Sequence, residues 1–358
     1  MDLDAKKIFK TLNPNKVWLP VIIGLGIVIY MFAQDENYTP DKIRLITEAT
    51  WWPIALALFV LVARDVGYVT RIRAITNQEL SWTSSIYVIL LWEFASAVTP
   101  SVVGGTAVAV FILWKEGLKL GKALAFVMVT AIFDNLFFVV AAPFALLFGG
   151  NEIFPVIEAS AYFKKSLPGL FYTSYGLITL YTFFMAFAVF INPRLFKWFL
   201  IKITSLPFLR RWRYDAYERG NEILWASEQL RGKKPMYWVR ISLLTIFIWS
   251  SRYLLVNCLA DAFVDLNLFQ HILIFGRHII LWIVMLISPT PGSSGTAEYF
   301  FPVFFGSFLN DYVIGTVIIW RLATYYLYLL LGVVFLPRWV RRVFFKKQKK
   351  SGEEKEAN

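Results

Sequence analysis

Glu298 sits three residues past Gly295, in the run Pro289-Thr290-Pro291-Gly292-Ser293-Ser294-Gly295-Thr296-Ala297-Glu298, between two long apolar stretches. A carboxylate at that point opens a half-helix, where the helix dipole favours negative charge and backbone groups lack partners. Arg321 follows on the next apolar run and Asp134 lies in the middle of another, with Arg64, Asp65, Glu93, Arg252 and Arg277 elsewhere in apolar sequence and Asn135 and His278 as polar neighbours. Charges inside hydrocarbon cost several kcal/mol and face a cavity or a partner, so these groups suit ion or headgroup handling rather than bond breaking. For Asp134, Glu298 and Arg321 two readings stand: structural ion pairs, or the lining of a polar cavity. Arg64 and Asp65 are expected to pair locally or to reach the membrane surface, and Arg252 either reaches the surface or enters the cavity.

The break at Thr290 has an earlier counterpart, Thr99-Pro100-Ser101-Val102-Val103-Gly104-Gly105-Thr106-Ala107. Irregular backbone within hydrocarbon is tolerated only where protein or a polar cavity surrounds it. Two broken helices at matching places in two halves point to a substrate site at a repeat interface, as in secondary transporters. Thr99, Pro100, Gly104 and Gly105 in one break, and Thr290, Pro291, Gly292 and Gly295 in the other, are therefore expected to line it, with Glu298, Arg321, Asp134, Arg252 and Arg277.

The elements that would position these residues follow from composition. The chain is 58% hydrophobic over 358 residues, too apolar for a soluble domain. The expectation is an all-α, polytopic membrane protein with six full spans (Val17–Ala33, Trp51–Val69, Ala123–Phe148, Pro168–Ile191, Trp238–Cys258, Tyr312–Leu336) and two helical hairpins. The hairpins are Trp82–Val98 with Val102–Leu113, and Ile272–Ser288 with Thr296–Phe308. The N-terminal run is too long for the apolar core of a signal peptide and reads as a retained span. The single Cys258 excludes an internal disulfide, and His271 and His278 are the only histidines. No metal, cofactor or catalytic site is expected, and the chain is read as a non-enzyme.

Most of the 36 Lys and Arg fall in segments 1–16, 70–81, 114–122, 192–237 and 337–358, whereas 34–50 and 149–167 hold only Lys42, Arg44, Lys164 and Lys165. The positive-inside rule then puts both termini in the cytoplasm, in a cytoplasmic (inner) membrane. The first hairpin would enter from the cytoplasmic side and the second from outside, an inverted repeat of re-entrant elements. Four segments result: a first membrane half at 1–191, a cytoplasmic amphipathic linker at 192–237, a second half at 238–336 and a basic tail at 337–358. Within the linker, Pro207–Pro235 mixes Leu209, Trp212, Ile223, Leu224 and Leu230 with arginines, a pattern for an interfacial amphipathic helix or a solvated linker helix. The +12 net charge reads as membrane orientation and lipid contact, with no nucleic-acid partner.

At its motifs the chain resembles the flippase-like membrane domain of lysylphosphatidylglycerol synthases and their stand-alone YbhN-type relatives. The resemblance rests on Pro100–Ala107, on Pro289–Glu298, on Asp134, and on Arg321–Gly332 with its Thr-Tyr-Tyr and Leu-rich run. It implies lipid translocation. Family members often carry an acid after the first Gly-Gly, where this chain has Thr106, and the synthases carry an aminoacyl-transferase domain beyond the membrane part, where this chain has a short Lys/Glu tail. The function expected is movement of an anionic lipid headgroup, of phospholipid or polyprenyl-phosphate type. The alternatives are an accessory subunit docked on a cell-envelope lipid synthase, or an enzyme acting on a lipid-linked substrate.

Overall fold

A computed structural model describes Ile22, Gly26 and residues 44–99, 102–155, 161–286 and 290–345. The expected first span at Val17–Ala33, the residues Pro100 and Pro289, and the end of the tail lie outside them. Every regular element among the described residues is helical.

The chain runs α1 (Trp51–Ile75), α2 (Trp82–Val98), α3 (Val102–Lys115), α4 (Leu120–Gly149) and α5 (Ala161–Ala186), the last continued by a π turn at Phe187–Ile191. Next come α6 (Pro193–Ile203), α7 (Arg213–Leu230), α8 (Pro235–Asp261), α9 (Leu268–Met285) and α10 (Thr296–Leu309). The closing helix is α11 (Val313–Arg321), a π turn at Leu322–Tyr326, and α12 (Leu327–Val340). Local signals set several starts. Ser81 accepts from the Ser84 amide at 3.1 Å to open α2. Asn267 and Gln270 form a reciprocal cap on α9, which satisfies amides that a helix start leaves without partners.

Among the described residues, six helical stretches are long and apolar enough to cross a bilayer: 51–75, 120–152, 167–191, 235–261, 268–285 and 296–344. Five cover the expected spans from Trp51 onward. The sixth, Leu268–Met285, is the first arm of the expected second hairpin; its 18 residues extend roughly 27 Å, close to a hydrocarbon thickness. Leu58, Phe59 and Val62 on α1, Leu180 and Phe183 on α5, and Leu243 and Ile246 on α8 face outward. An apolar surface of that extent is stable only against lipid.

The interior holds two hydrophobic clusters. One joins α2, α3 and the first half of α4 to Tyr325, Leu329 and Trp339 of the closing helix. The other joins the second half of α4 to α9, α10 and α11. Several helices pass from one to the other, and charge sits at the crossing. On α1 the change falls between Leu61 and Tyr68, around Arg64 and Asp65; on α4 between Ile132 and Phe138, around Asp134; on the closing helix between Trp320 and Tyr325, around Arg321.

Two expectations change. Helix α1 continues past Val69 to Ile75, so Arg71, counted above among loop cations, is a buried helical residue. In the linker, Ile223, Ala226 and Leu230 of α7 are buried, and α7 packs on α4 and α6. The amphipathic face belongs to α6 instead, with Leu195, Trp198 and Phe199 exposed and Phe196 buried. Asn192 caps α6 one residue beyond the π turn, accepting from the Leu195 amide at 2.9 Å.

Candidate functional site

Besides Arg64 and Asp65, the seam between the two clusters carries three further groups of charged residues among the described residues. In the first, Arg71 grips Asp134 through both guanidinium nitrogens, one contact being 3.2 Å. The Trp249 indole N–H donates to the same carboxylate at 2.7 Å, and Arg71 donates to the Thr245 hydroxyl at 3.0 Å. This bidentate, doubly supported arrangement offsets the burial of both charges. In the second, Arg252 of α8 faces Glu93 of α2 at 3.8 Å, too far for a hydrogen bond.

Both pairs line one cavity of about 290 Å³, together with Tyr68, Trp92, Ser96, Thr106, Thr130, Asn135, Tyr181, Trp282 and Leu286. Residues of α1, α2, α3, α4, α5, α8 and the end of α9 thus converge. An apolar cleft of about 750 Å³ lies beside it between α4, α8 and α9, lined by Phe133, Phe137, Phe144, Phe148 and Phe275. Thr245 lines the cleft while accepting from Arg71, which lines the cavity, so one network forms the wall between them.

The third group holds the second break. Glu298 accepts from the Gly295 amide at 2.6 Å and from Arg321 Nε at 2.8 Å. Both side chains are buried, and Arg321 Nη2 has no partner among the described residues. The Arg321 guanidinium lies 4.0 Å from the centre of the Tyr325 ring. The Tyr325 hydroxyl reaches the Ala97 carbonyl at 3.2 Å and the Pro291 carbonyl at 3.5 Å. The C-terminal end of α2 therefore meets the second break through one tyrosine. Gly292, at φ 56°, has the Tyr325 ring and the Ala97 carbonyl against its backbone, a position that a side chain would close.

The expected site residues divide accordingly. Asp134 and Arg252 share the cavity, while Glu298 and Arg321 pair with each other at the break with Pro291, Gly292 and Gly295. Gly105 packs against Ser96, which joins α3 to α2, and Thr99 is buried at the end of α2. Pro100 lies outside the described residues, and only the backbone of Gly104 is described. Arg277 sits elsewhere: it donates to the carbonyls of Glu152 and Phe304 and to the Ser307 hydroxyl. It ties α9 to α10 and to the turn after α4. Arg64 binds Asp65 at 2.8 Å and the Tyr328 hydroxyl, and is buried rather than reaching the surface.

Sequence reasoning missed Arg71 and placed Glu93 without a role. Arg64, Tyr68 and Arg71 follow one another at spacings of four and three, one stripe of a helix. That stripe was the available signal.

These features define a polytopic helical membrane protein with ion pairs packed between its spans. The lysylphosphatidylglycerol synthase TM region family matches residues 17–332, and the chain belongs to that family. A UPF0104 membrane protein of Archaeoglobus fulgidus is 24% identical over 337 residues, covering 87% of this chain and 95% of that one.

Proposed function

We propose that this chain translocates a lipid by passing its phosphate-bearing headgroup through the polar cavity while the hydrocarbon chains stay in the bilayer and the adjoining cleft. The observation that carries the reading is the cavity of about 290 Å³ inside the seam, lined by two opposite-charge pairs. Structural pairs alone would be expected to pack without a void, since interiors close around buried groups. Arg252 is the cation for an incoming anion, and the break at Pro291–Gly295 is the element that would rearrange. In this reading the two helix pairs α2–α3 and α9–α10 are opposed re-entrant hairpins, both termini are cytoplasmic, and the chain is a transporter of the cytoplasmic membrane rather than an enzyme.

The test is reconstitution of the full chain into liposomes carrying acyl-labelled phospholipid, with the outer leaflet bleached by a membrane-impermeant reductant. Loss of signal beyond the outer-leaflet fraction, at a rate set by protein content and lowered by Arg252→Gln, is expected. Folded protein that leaves the inner leaflet protected would refute the proposal. Turnover of the lipid into a new product would favour an enzyme, and co-purification of a synthase with no translocation would favour an accessory subunit.

A further inference from the structure

The two ion pairs of the cavity are unequal. Asp134 is saturated by Arg71 and Trp249. Glu93 and Arg252 stand 3.8 Å apart, each about a quarter or less exposed. No hydrogen bond to the Glu93 carboxylate is formed among the described residues. A carboxylate with open lone pairs faces a guanidinium that bonds Tyr68 but not the carboxylate itself, and in a confined low-dielectric space such a separated pair is costly to leave unfilled.

Charge balance narrows what can fill it. The charged lining residues are Arg71, Asp134, Glu93 and Arg252, which sum to zero. A headgroup of net negative charge would bring an uncompensated charge into the seam, with Glu93 against it. A group carrying one negative and one positive charge keeps the cavity neutral and matches the open pair at both ends. Trp92, Trp249, Trp282, Tyr68 and Tyr181 surround the same space, and aromatic faces attract ammonium ions.

We infer that Glu93 and Arg252 form the recognition pair for a zwitterionic headgroup, Arg252 taking the phosphate and Glu93 the ammonium. This rests on the translocation reading, and it replaces the anionic lipid expected from charge alone with a phosphoethanolamine-type one. Glu93 becomes a specificity residue that discriminates against phosphoglycerol headgroups, which offer no cation.

The experiment compares acyl-labelled phosphatidylethanolamine and phosphatidylglycerol of identical chains in the liposome assay, for the natural chain and for Glu93→Gln. The expected preference for phosphatidylethanolamine is about tenfold, the worth of one hydrogen bond to a charged group. It should collapse to near unity in Glu93→Gln. Equal rates in the natural chain, a preference for phosphatidylglycerol, or a preference that survives Glu93→Gln would overturn the inference. A second measurement needs neither transport nor a variant: mass spectrometry of lipid retained on protein purified from membranes containing both. Enrichment of phosphatidylethanolamine supports the recognition pair even if nothing is translocated, in which case the transport reading alone falls. Equal retention, as when only water fills the pair, overturns it.

Discussion

Glu298→Gln tests how the second break is held. The substitution keeps an oxygen for the Gly295 amide but removes the charge that faces Arg321 Nε at 2.8 Å. The single amide oxygen can meet only one of these two donors, and the amide nitrogen, itself a donor, then faces the other. Arg321 is 6% exposed and one of its terminal nitrogens already lacks a partner among the described residues. Removing one member of such a buried pair costs about 3–5 kcal/mol. For 358 residues at ~2.1 cal/mol/K per residue, the unfolding entropy is roughly 0.75 kcal/mol/K, so Tm should fall by about 4–7 °C. Thermal unfolding in detergent reads this directly. The double variant Glu298→Gln/Arg321→Met removes both charges and fills the space with a flexible thioether, so it should recover most of the loss. A fall of less than about 1 °C in Glu298→Gln, or a double variant less stable than the two single losses added together, would refute the claim that the pair anchors the break.

Asp134→Ala strands Arg71 with Thr245 alone; it should lower stability by about 3–5 kcal/mol, and a Tm unchanged in detergent would show the pair to be dispensable. The natural chain has Gly332 where a methyl group would overlap the Phe94 ring. Gly332→Ala should therefore cost about 1–3 kcal/mol, measured in the same way, with Phe94→Leu in the same chain relieving part of it. With Cys258 replaced by alanine, cysteines at positions 36 and 152 should react with an impermeant thiol reagent on intact cells, and those at 119 and 233 should not. Reaction at position 119 from outside would invert the first helix pair.

Long apolar runs and the duplicated Thr-Pro breaks were readable because each is a local property: hydropathy over a window, or a residue that cannot continue a helix. Helix α2 begins and ends at the expected Trp82 and Val98, since Ser81 caps one end and a proline follows the other. Glu298 and Arg321 are on consecutive helices joined by the short turn Asn310–Tyr312, so their proximity follows from chain connectivity. Partnerships across the molecule were not readable. Nothing local links Arg71 to Asp134 or Glu93 to Arg252; those pairs depend on how α1, α2, α4 and α8 rotate against one another. Arg71 was hidden by a helix end placed too early, because a cation just past the Val69 end of an apolar run looks like a loop charge. Arg277 misled for the opposite reason: intramembrane position suggested the cavity, whereas its fork meets the backbone carbonyls of Glu152 in a turn and Phe304 in α10.

The closing helix is wound wide for five residues at Leu322–Tyr326. A π turn takes up one residue more than the α turn it replaces, so the register beyond it carries a spare unit. That register sets Tyr328 against Arg64 and Gly332 against Phe94. Deleting one residue inside 322–326 lets the turn tighten and leaves both facing their partners. The same deletion a few positions later rotates everything beyond it by about 100°. Between Val313 and Val340, length variation should therefore be tolerated immediately after Arg321 and not beyond Tyr326, and thermal unfolding of the two deletion variants would show the contrast.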